Sequence, residues 1–317
     1  MDIPRLPDWI VSLSHLLALA AAPVCLAAAS SHIAGYEAVP VRYAPLNKMI
    51  MPIQINGHPA NLLVDTGAEH TTLDTEAAQL CAVAANQFGG RRYIGYERIN
   101  GQLCPIAFVR NLTVGAMNIG NIQVALVDSS ARGGLITRAN ATARVDGILG
   151  ADILVAHRAV INTRTKLVFF KTAASVPLQL SAAVSSEKFT TVPLRHEENG
   201  GFTVSCSING QQRRVFVDTG AFVTTLNERL LRSLGIALQP AHVTGHFSDG
   251  ISRHYSMGQV NDFTIGGFRV RPEKIGAAPL PKLGPERDAP IDGIVGMDIL
   301  YDCHAIIDFG SMNLFLK

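Results

Sequence analysis

Leu62-Leu63-Val64-Asp65-Thr66-Gly67-Ala68-Glu69-His70-Thr71-Thr72-Leu73 and Val215-Phe216-Val217-Asp218-Thr219-Gly220-Ala221-Phe222-Val223-Thr224-Thr225-Leu226 are one motif written twice, 153 residues apart. A single Asp-Thr-Gly would be an ordinary turn. The surroundings repeat as well. Val39-Pro40-Val41-Arg42 matches Val192-Pro193-Leu194-Arg195, and Ile55-Asn56-Gly57 matches Ile208-Asn209-Gly210, at the same offset and without a gap. A second block follows in each half, Asp146-Gly147-Ile148-Leu149-Gly150-Ala151-Asp152-Ile153-Leu154 against Asp292-Gly293-Ile294-Val295-Gly296-Met297-Asp298-Ile299-Leu300. From there the match runs ungapped to Phe169-Phe170-Lys171 against Phe315-Leu316-Lys317. The chain is a duplicated domain.

Outward from these blocks the pattern is that of strands. Met49 to Ile55, Leu62 to Val64, Ile106 to Val109, Ile122 to Val127 and Val160 to Phe170 are rich in β-branched and apolar residues, bounded by Gly, Asn, Pro or Asp. Phe202 to Ile208, Val215 to Val217, Asp262 to Ile265 and Ala305 to Phe315 repeat them. Asn56-Gly57 and Asn209-Gly210 signal tight hairpin turns. One helix per half is expected, Thr75 to Cys81 and Glu228 to Leu234, each opening where Asp74 or Asn227 can cap the first turn. Thr172 to Glu187 reads as a linker. Two β-rich lobes follow, over residues 35–175 and 188–317.

Composition agrees with a globular interior, 48% hydrophobic and 16% charged. The net charge of +2 and the lack of like-charge runs or basic patches give no sign of a nucleic-acid partner. Residues 1–29 stand apart. From Trp9 to Ala29 there is no Asp, Glu, Lys or Arg, and Ala27-Ala28-Ala29 precedes Ser30-Ser31, the small residues a signal peptidase needs. A secretory signal is the expected reading, with a membrane anchor through residues 10–29 if it is not cleaved. The protein is then exported to a periplasmic or extracellular space, or held at a membrane. Four cysteines follow the segment. Cys81 with Cys104 and Cys206 with Cys303 suit an oxidising compartment, and four unpaired thiols suit the sequence equally well.

Two apolar residues, Asp-Thr-Gly-Ala, then Thr-Thr-Leu, and later Ile148-Leu149-Gly150 or Ile294-Val295-Gly296 together resemble the retropepsin and pepsin superfamily of aspartic proteases. The Asp-Thr-Gly-Ala form and the Gly-x-Asp-Ile-Leu behind it resemble the retroviral type, and both halves match over nearly all of the chain beyond the leader. The resemblance implies an all-β, bilobed acid-protease fold, two pseudo-twofold related β-barrel-like lobes that unite in one chain what retroviral enzymes assemble from two subunits. It implies an aspartic endopeptidase acting on a peptide or protein substrate as a monomer. Asp65 and Asp218 take the catalytic positions. Thr66 and Thr219 resemble the threonines that bond across the junction, and Gly67 and Gly220 those that let the loops turn tightly. Leu149-Gly150 and Val295-Gly296 are expected beneath these loops.

The chemistry requires this pairing. A peptide carbonyl is a poor electrophile, and two carboxylates held close cannot both ionise; they share a proton, one serving as base toward water and the other as acid toward the carbonyl oxygen. Asp146, Asp152, Asp292 and Asp298 also recur, with structural roles expected. In retroviral relatives an Arg commonly precedes the position of Asp152 and Asp298; Ala151 and Met297 stand there, so something else must brace the lobes. No metal-ligand spacing occurs among the ten histidines, and no cofactor motif is present. Asn111-Leu112-Thr113 and Asn140-Ala141-Thr142 match the glycosylation sequon.

By resemblance, Glu69-His70 and Phe222-Val223 line opposite sides of the cleft, one polar and one apolar. Flaps are expected around Tyr93-Ile94-Gly95-Tyr96 with its turn Asn100-Gly101, and around Gly245-His246-Phe247 with Asp249-Gly250; Tyr96 is the expected substrate contact. An alternative reading, a non-catalytic peptide-binding protein of the same fold, would be marked by loss of either aspartate. Both are present.

Overall fold

The structure, a computed structural model, describes residues 35–85, 87–88, 91–92, 95–99, 101–128, 144–173, 187–197, 200–246, 252–280 and 290–317. The leader 1–29, Tyr93, Ile94, Asn100, Phe247, Asp249, Gly250 and the sequon at Asn140 lie outside these residues, as does most of the linker. Among the described residues no helix is long and apolar enough to cross a membrane.

Each half folds as a curled sheet. In the first lobe the order is Arg42–Ala44, Lys48–Ile55, His58–Val64, Gly147–Leu149, Thr72–Asp74, Met117–Val127, Gln102–Val114 and Tyr96–Ile99, and Lys48–Ile55 also pairs Gln102–Val114 to close the sheet on itself. The second lobe runs Leu238–His246, Ser252–Val260, Glu273–Ala278, Thr225–Asn227, Ile291–Val295, Gln211–Val217, Phe202–Ile208, Phe263–Ile265 and Phe268–Arg269. The two Asn-Gly turns have both residues at positive φ, 51° and 83° in the first lobe, 47° and 79° in the second. That is the twist two-residue hairpins need.

The repeated Asp-Gly-Ile block supplies the strand that shapes the site. Gly147–Leu149 runs parallel to Leu62–Val64 and antiparallel to Thr72–Leu73, so it separates two strands that would otherwise pair as a hairpin. Ile291–Val295 does the same between Gln211–Val217 and Thr225–Asn227. The chain must therefore swing wide between Val64 and Thr72, and between Val217 and Thr225, and those excursions carry the two aspartates. Only glycine fits the insertion. A Cβ on Gly147 would lie 2.2 Å from the Thr72 carbonyl oxygen, and one on Gly293 would lie 2.5 Å from the Leu226 side chain.

A six-stranded sheet of residues from both halves joins the lobes, in the order Tyr36–Pro40, Leu167–Lys171, Val160–Asn162, Ile306–Asp308, Asn313–Leu316 and Thr190–Pro193. At its centre Ile161 faces Ile307, its own repeat equivalent, with Val160 opposite Asp308 and Asn162 opposite Ile306. The pseudo-twofold axis passes through the Ile161–Ile307 pair. Val168, Phe170, Ile307, Leu314 and Leu316 turn one face of this sheet into the main core, and burying a side chain such as Phe170 contributes about 1.5–3 kcal/mol. Tyr36, Val160, Phe169, Ile306 and Phe315 form a second buried cluster.

Three sequence expectations change here. Val160 to Phe170 and Ala305 to Phe315 are hairpins, not single strands. Asn162 accepts hydrogen bonds from the Arg164 and Thr165 amides, and Asp308 from those of Gly310 and Ser311, so each chain reverses after three residues. The capped helices appear as Thr75–Leu80 and Glu228–Ser233, with Asp74 and Asn227 accepting from the Glu76 and Arg229 amides. A second short helix joins each lobe, Ala151–Ala156 and Met297–Asp302, from the Gly-x-Asp-Ile-Leu segments. The four cysteines are free and buried, so neither suggested disulfide forms. Burial pushes the Cys206 thiol up to about 12, which leaves it inert as a nucleophile.

Candidate active site

The two wide loops meet tip to tip. The Thr66 hydroxyl donates to the Val217 carbonyl at 2.7 Å and accepts from the Thr219 amide at 3.0 Å. The Thr219 hydroxyl donates to the Val64 carbonyl at 2.8 Å and accepts from the Thr66 amide at 3.1 Å. Both threonines are fully buried, so each hydroxyl satisfies two backbone groups of the opposite lobe that have no water to turn to. Each carboxylate is fixed by its own loop. Asp65 Oδ1 accepts from the Gly67 and Ala68 amides at 2.8 and 3.2 Å, and Asp218 Oδ1 from those of Gly220 and Ala221 at 2.8 and 3.0 Å.

Glycine is required here by the opposite lobe. A Cβ on Gly67 would lie 2.5 Å from the Asp218 carboxyl carbon, and one on Gly220 would lie 2.3 Å from that of Asp65. The aspartates also hydrogen-bond each other through their carboxyl groups. Desolvation raises the pKa of both, and the Asp218 charge raises Asp65 further, while the amides of Gly220, Ala221 and Gly67 work the other way on Asp218. The pair therefore holds its shared proton to higher pH than a free carboxylate would.

The brace that replaces the absent arginine is a threonine and an aspartate in each lobe. Asp152 accepts from the Thr71 amide at 2.9 Å and its hydroxyl at 2.6 Å, and that hydroxyl accepts from the Gly150 amide at 3.1 Å. Asp298, Thr224 and Gly296 repeat the arrangement, with the Thr224 hydroxyl 2.6 Å from Asp298. Gly150 and Gly296 lie under the loops, where a Cβ would meet the His70 carbonyl carbon at 2.6 Å and the Ala221 carbonyl oxygen at 2.8 Å. Buried Ala151 and Met297 occupy the arginine positions. Asp146 and Asp292 pair with Arg144 and Arg213 at 2.8 and 2.9 Å, away from the dyad's own hydrogen bonds.

Beyond the dyad the lobes differ. Glu69 is exposed, and Gly200 of the second lobe lies against it. His70 Nε2 sits 2.8 Å from Glu97 Oε1 and 3.6 Å from Glu69 Oε1. Glu97 belongs to the strand Tyr96–Ile99 of the first-lobe hairpin, so it is Glu97 that reaches the loop after Asp65. Tyr96, on the alternate face of that strand, is 56% exposed. On the other side Val223 is 40% exposed, and the Phe222 ring is not an open apolar surface, because Lys48 Nζ of the first lobe stands 4.5 Å from its centroid. Sequence reading did not find Glu97 or Lys48, since Glu97 lies where the repeat fades and Lys48 has a glycine, Gly201, as its repeat equivalent. No group of three or more His, Cys, Asp or Glu among the described residues could hold a metal ion.

Two family models match the chain, the "gag-polyprotein putative aspartyl protease" family over residues 51–155 and the "Aspartyl protease" family over residues 204–299. Each match contains one Asp-Thr-Gly and one apolar-Gly block. No curated protein matches. Among solved structures the chain is similar to basic 7S globulin from soybean, at 10% identity over 89% of this chain and 96% of that one, with a TM-score of 0.50. It is also similar to conglutin gamma, a basic 7S globulin from lupine seeds, at 9% identity over 89% and 95%, with a TM-score of 0.48. The soybean likeness is one of fold alone. With an aspartyl-protease family match through each aspartate loop, one of them of the gag-polyprotein type, the chain belongs to the retropepsin-like aspartic proteases, with both loops in one polypeptide.

Proposed function

We propose that the protein is an aspartic endopeptidase that hydrolyses peptide bonds with a water activated between Asp65 and Asp218. The observation that carries this reading is the pair itself, two desolvated, mutually bonded carboxyls held by a symmetric network with no slack. The ionised member takes a proton from water as its oxygen adds to the peptide carbonyl carbon, and the protonated member donates to the carbonyl oxygen. The tetrahedral species then collapses. The carboxyl that gained the water proton passes it to the leaving nitrogen as the C–N bond breaks, the other carboxylate takes back a proton from a hydroxyl of the intermediate as the C=O bond re-forms, and the dyad returns to one shared proton.

The substrate on this reading is a peptide bound extended along the cleft in strand-addition fashion, and the active unit is a monomer because both half-sites lie in one chain. Export, or retention at a membrane by the leader, is the proposed location. The test is digestion of a mixed peptide library by the purified chain across acidic to neutral pH, with Asp65→Asn as control. Cleavage lost in the control supports the dyad. Peptide binding without cleavage by the unsubstituted protein would replace this reading with that of a binding module.

A further inference from the structure

The cross-lobe contacts beside the dyad form two equivalent places, and their chemistry is opposite. Phe222 and Glu69 occupy the same repeat position, each four residues beyond its aspartate. The residues that reach them from the other lobe are also related by the repeat. Lys48, at the start of the strand Lys48–Ile55, corresponds to Gly201, whose neighbour Gly200 lies against Glu69. At one place a half-buried ammonium stands 4.5 Å from an aromatic centroid. At the other a glycine pair brings no side chain, and the exposed Glu69 carboxylate is left with His70 3.6 Å away, itself paired to Glu97.

A pseudo-symmetric cleft has no intrinsic way to tell which end of an extended peptide is which; these two places do. The Lys48 ammonium is held over the Phe222 face, where a cation is attracted by the ring and its stem is packed. Burial lowers its pKa, in keeping with its partial removal from water. A substrate carboxylate meeting such a cation loses less to screening than it would at an open surface.

We propose that Lys48 is a specificity-determining residue of the cleft, selecting peptides with an acidic side chain at the subsite beside Phe222 and, with Glu69 at the equivalent opposite subsite, fixing the direction in which the peptide lies. This rests on the endopeptidase reading and names its substrate class.

Binding is measured separately from cleavage, by fluorescence anisotropy with the Asp65→Asn protein at about pH 6, where free carboxylates are ionised. The probes are labelled octapeptides that differ at one position, which carries Glu, Gln or Lys and is scanned along the peptide. At one position Glu is expected to bind roughly three- to tenfold tighter than Gln, with Lys weaker still. Adding Lys48→Glu should invert that order there and nowhere else, and adding Lys48→Met should flatten it, in proteins of unchanged melting temperature. An order that Lys48→Glu leaves unchanged, or shifts equally at every position, overturns the proposal while peptide binding stands. Failure of the folded Asp65→Asn protein to bind any of the peptides overturns both it and the peptide-cleft reading.

Discussion

The two lobes are interchangeable at the axis and unlike a few ångströms from it. Thr66 and Thr219, Gly67 and Gly220, Thr71 and Thr224, Asp152 and Asp298 make matching hydrogen bonds or close approaches. Elsewhere the repeat carries different chemistry at equal positions. Glu197, Arg214 and Thr203 form a buried cluster in the second lobe, with Arg214 Nη1 2.7 Å from Glu197 Oε1, where the first lobe has Ala44, Asn61 and Ile50. His70 reaches the hairpin in the first lobe, and Val223 stands in its place in the second. Where a residue serves its own equivalent across the axis, a change in one half would leave the other's partner unsatisfied. Where it serves only its own lobe or the substrate, no partner across the axis ties the halves together, and the pairs that still match, Thr71 with Asp152 and Thr224 with Asp298, are those that brace the aspartate loops.

The strongest test of the shared part is the dyad. Asp65→Asn and Asp218→Asn should each lower kcat by at least about 10²–10⁴-fold, and equally, with circular dichroism unchanged. A variant of either aspartate with near-normal turnover would show that one lobe works alone.

For the unshared part the largest expected effect is on stability. Arg214→Leu takes the buried charge partner from the Glu197 carboxylate, leaving it only the exposed Arg195 at 3.7 Å, and should cost up to about 3–5 kcal/mol in urea unfolding. The pair Glu197→Ala with Arg214→Asn copies the first lobe's residues into the second and should cost less than Arg214→Leu alone. If the double variant is the worse of the two, the first lobe's solution does not transfer.

Next come the threonines. Thr66→Val and Thr219→Val each remove a hydroxyl that satisfies a buried carbonyl and a buried amide of the other lobe, at a cost of about 1–3 kcal/mol. The two effects should match within error and combine non-additively, because each hydroxyl bonds the other's backbone. Unequal losses would mean the lobes do not bear on each other symmetrically.

What could be read from the sequence follows the same division. Asp65, Asp218, their Thr-Gly neighbours and the inserted Gly147 and Gly293 were legible because they occur twice. The partners of Asp152 and Asp298 were not, since Thr71 and Thr224 lie 81 and 74 residues away and only the fold brings them together. Lys48 over Phe222 was hidden for a related reason: it joins residues of different lobes and has a glycine as its repeat equivalent. Tyr96 and Glu97 were separable only by strand register, because alternation decides which one faces the floor. The Asn162 and Asp308 turns did carry a signal, a polar run inside an apolar one, which the single-strand reading passed over.

A smaller effect concerns pH and sharpens the dyad's place in the comparison. Asp65 and Asp218 have folded-state pKa values above those of free carboxylates. Folding therefore favours the protonated form, and the stabilisation is complete below about pH 4 and lost as pH rises through the raised values. In Asp65→Asn/Asp218→Asn nothing is left there to titrate. Its melting temperature relative to the unsubstituted protein should rise steadily from mildly acidic to neutral pH, and a constant difference would show that the dyad is not desolvated.

The smallest expected effect tests whether the first-lobe hairpin differs from the second because of His70. The His70–Glu97 pair is partly exposed, with side chains 39% and 17% accessible, and such pairs contribute about 0.2–1 kcal/mol. That corresponds to at most about a fivefold change in the opening equilibrium of the hairpin. His70→Val, which gives the first lobe the second lobe's residue, and Glu97→Gln should each raise amide exchange across Tyr96–Ile99 and Gln102–Ile106 by up to that factor. Because each variant breaks the same contact, the double variant should add little to either one. Exchange in the Leu238–His246 hairpin is the internal control and should not move. Equal changes in both hairpins would mean a general loosening of the molecule, and no change in the first would show that its strands are held by their backbone ladder alone, with His70 and Glu97 free to meet substrate instead of each other.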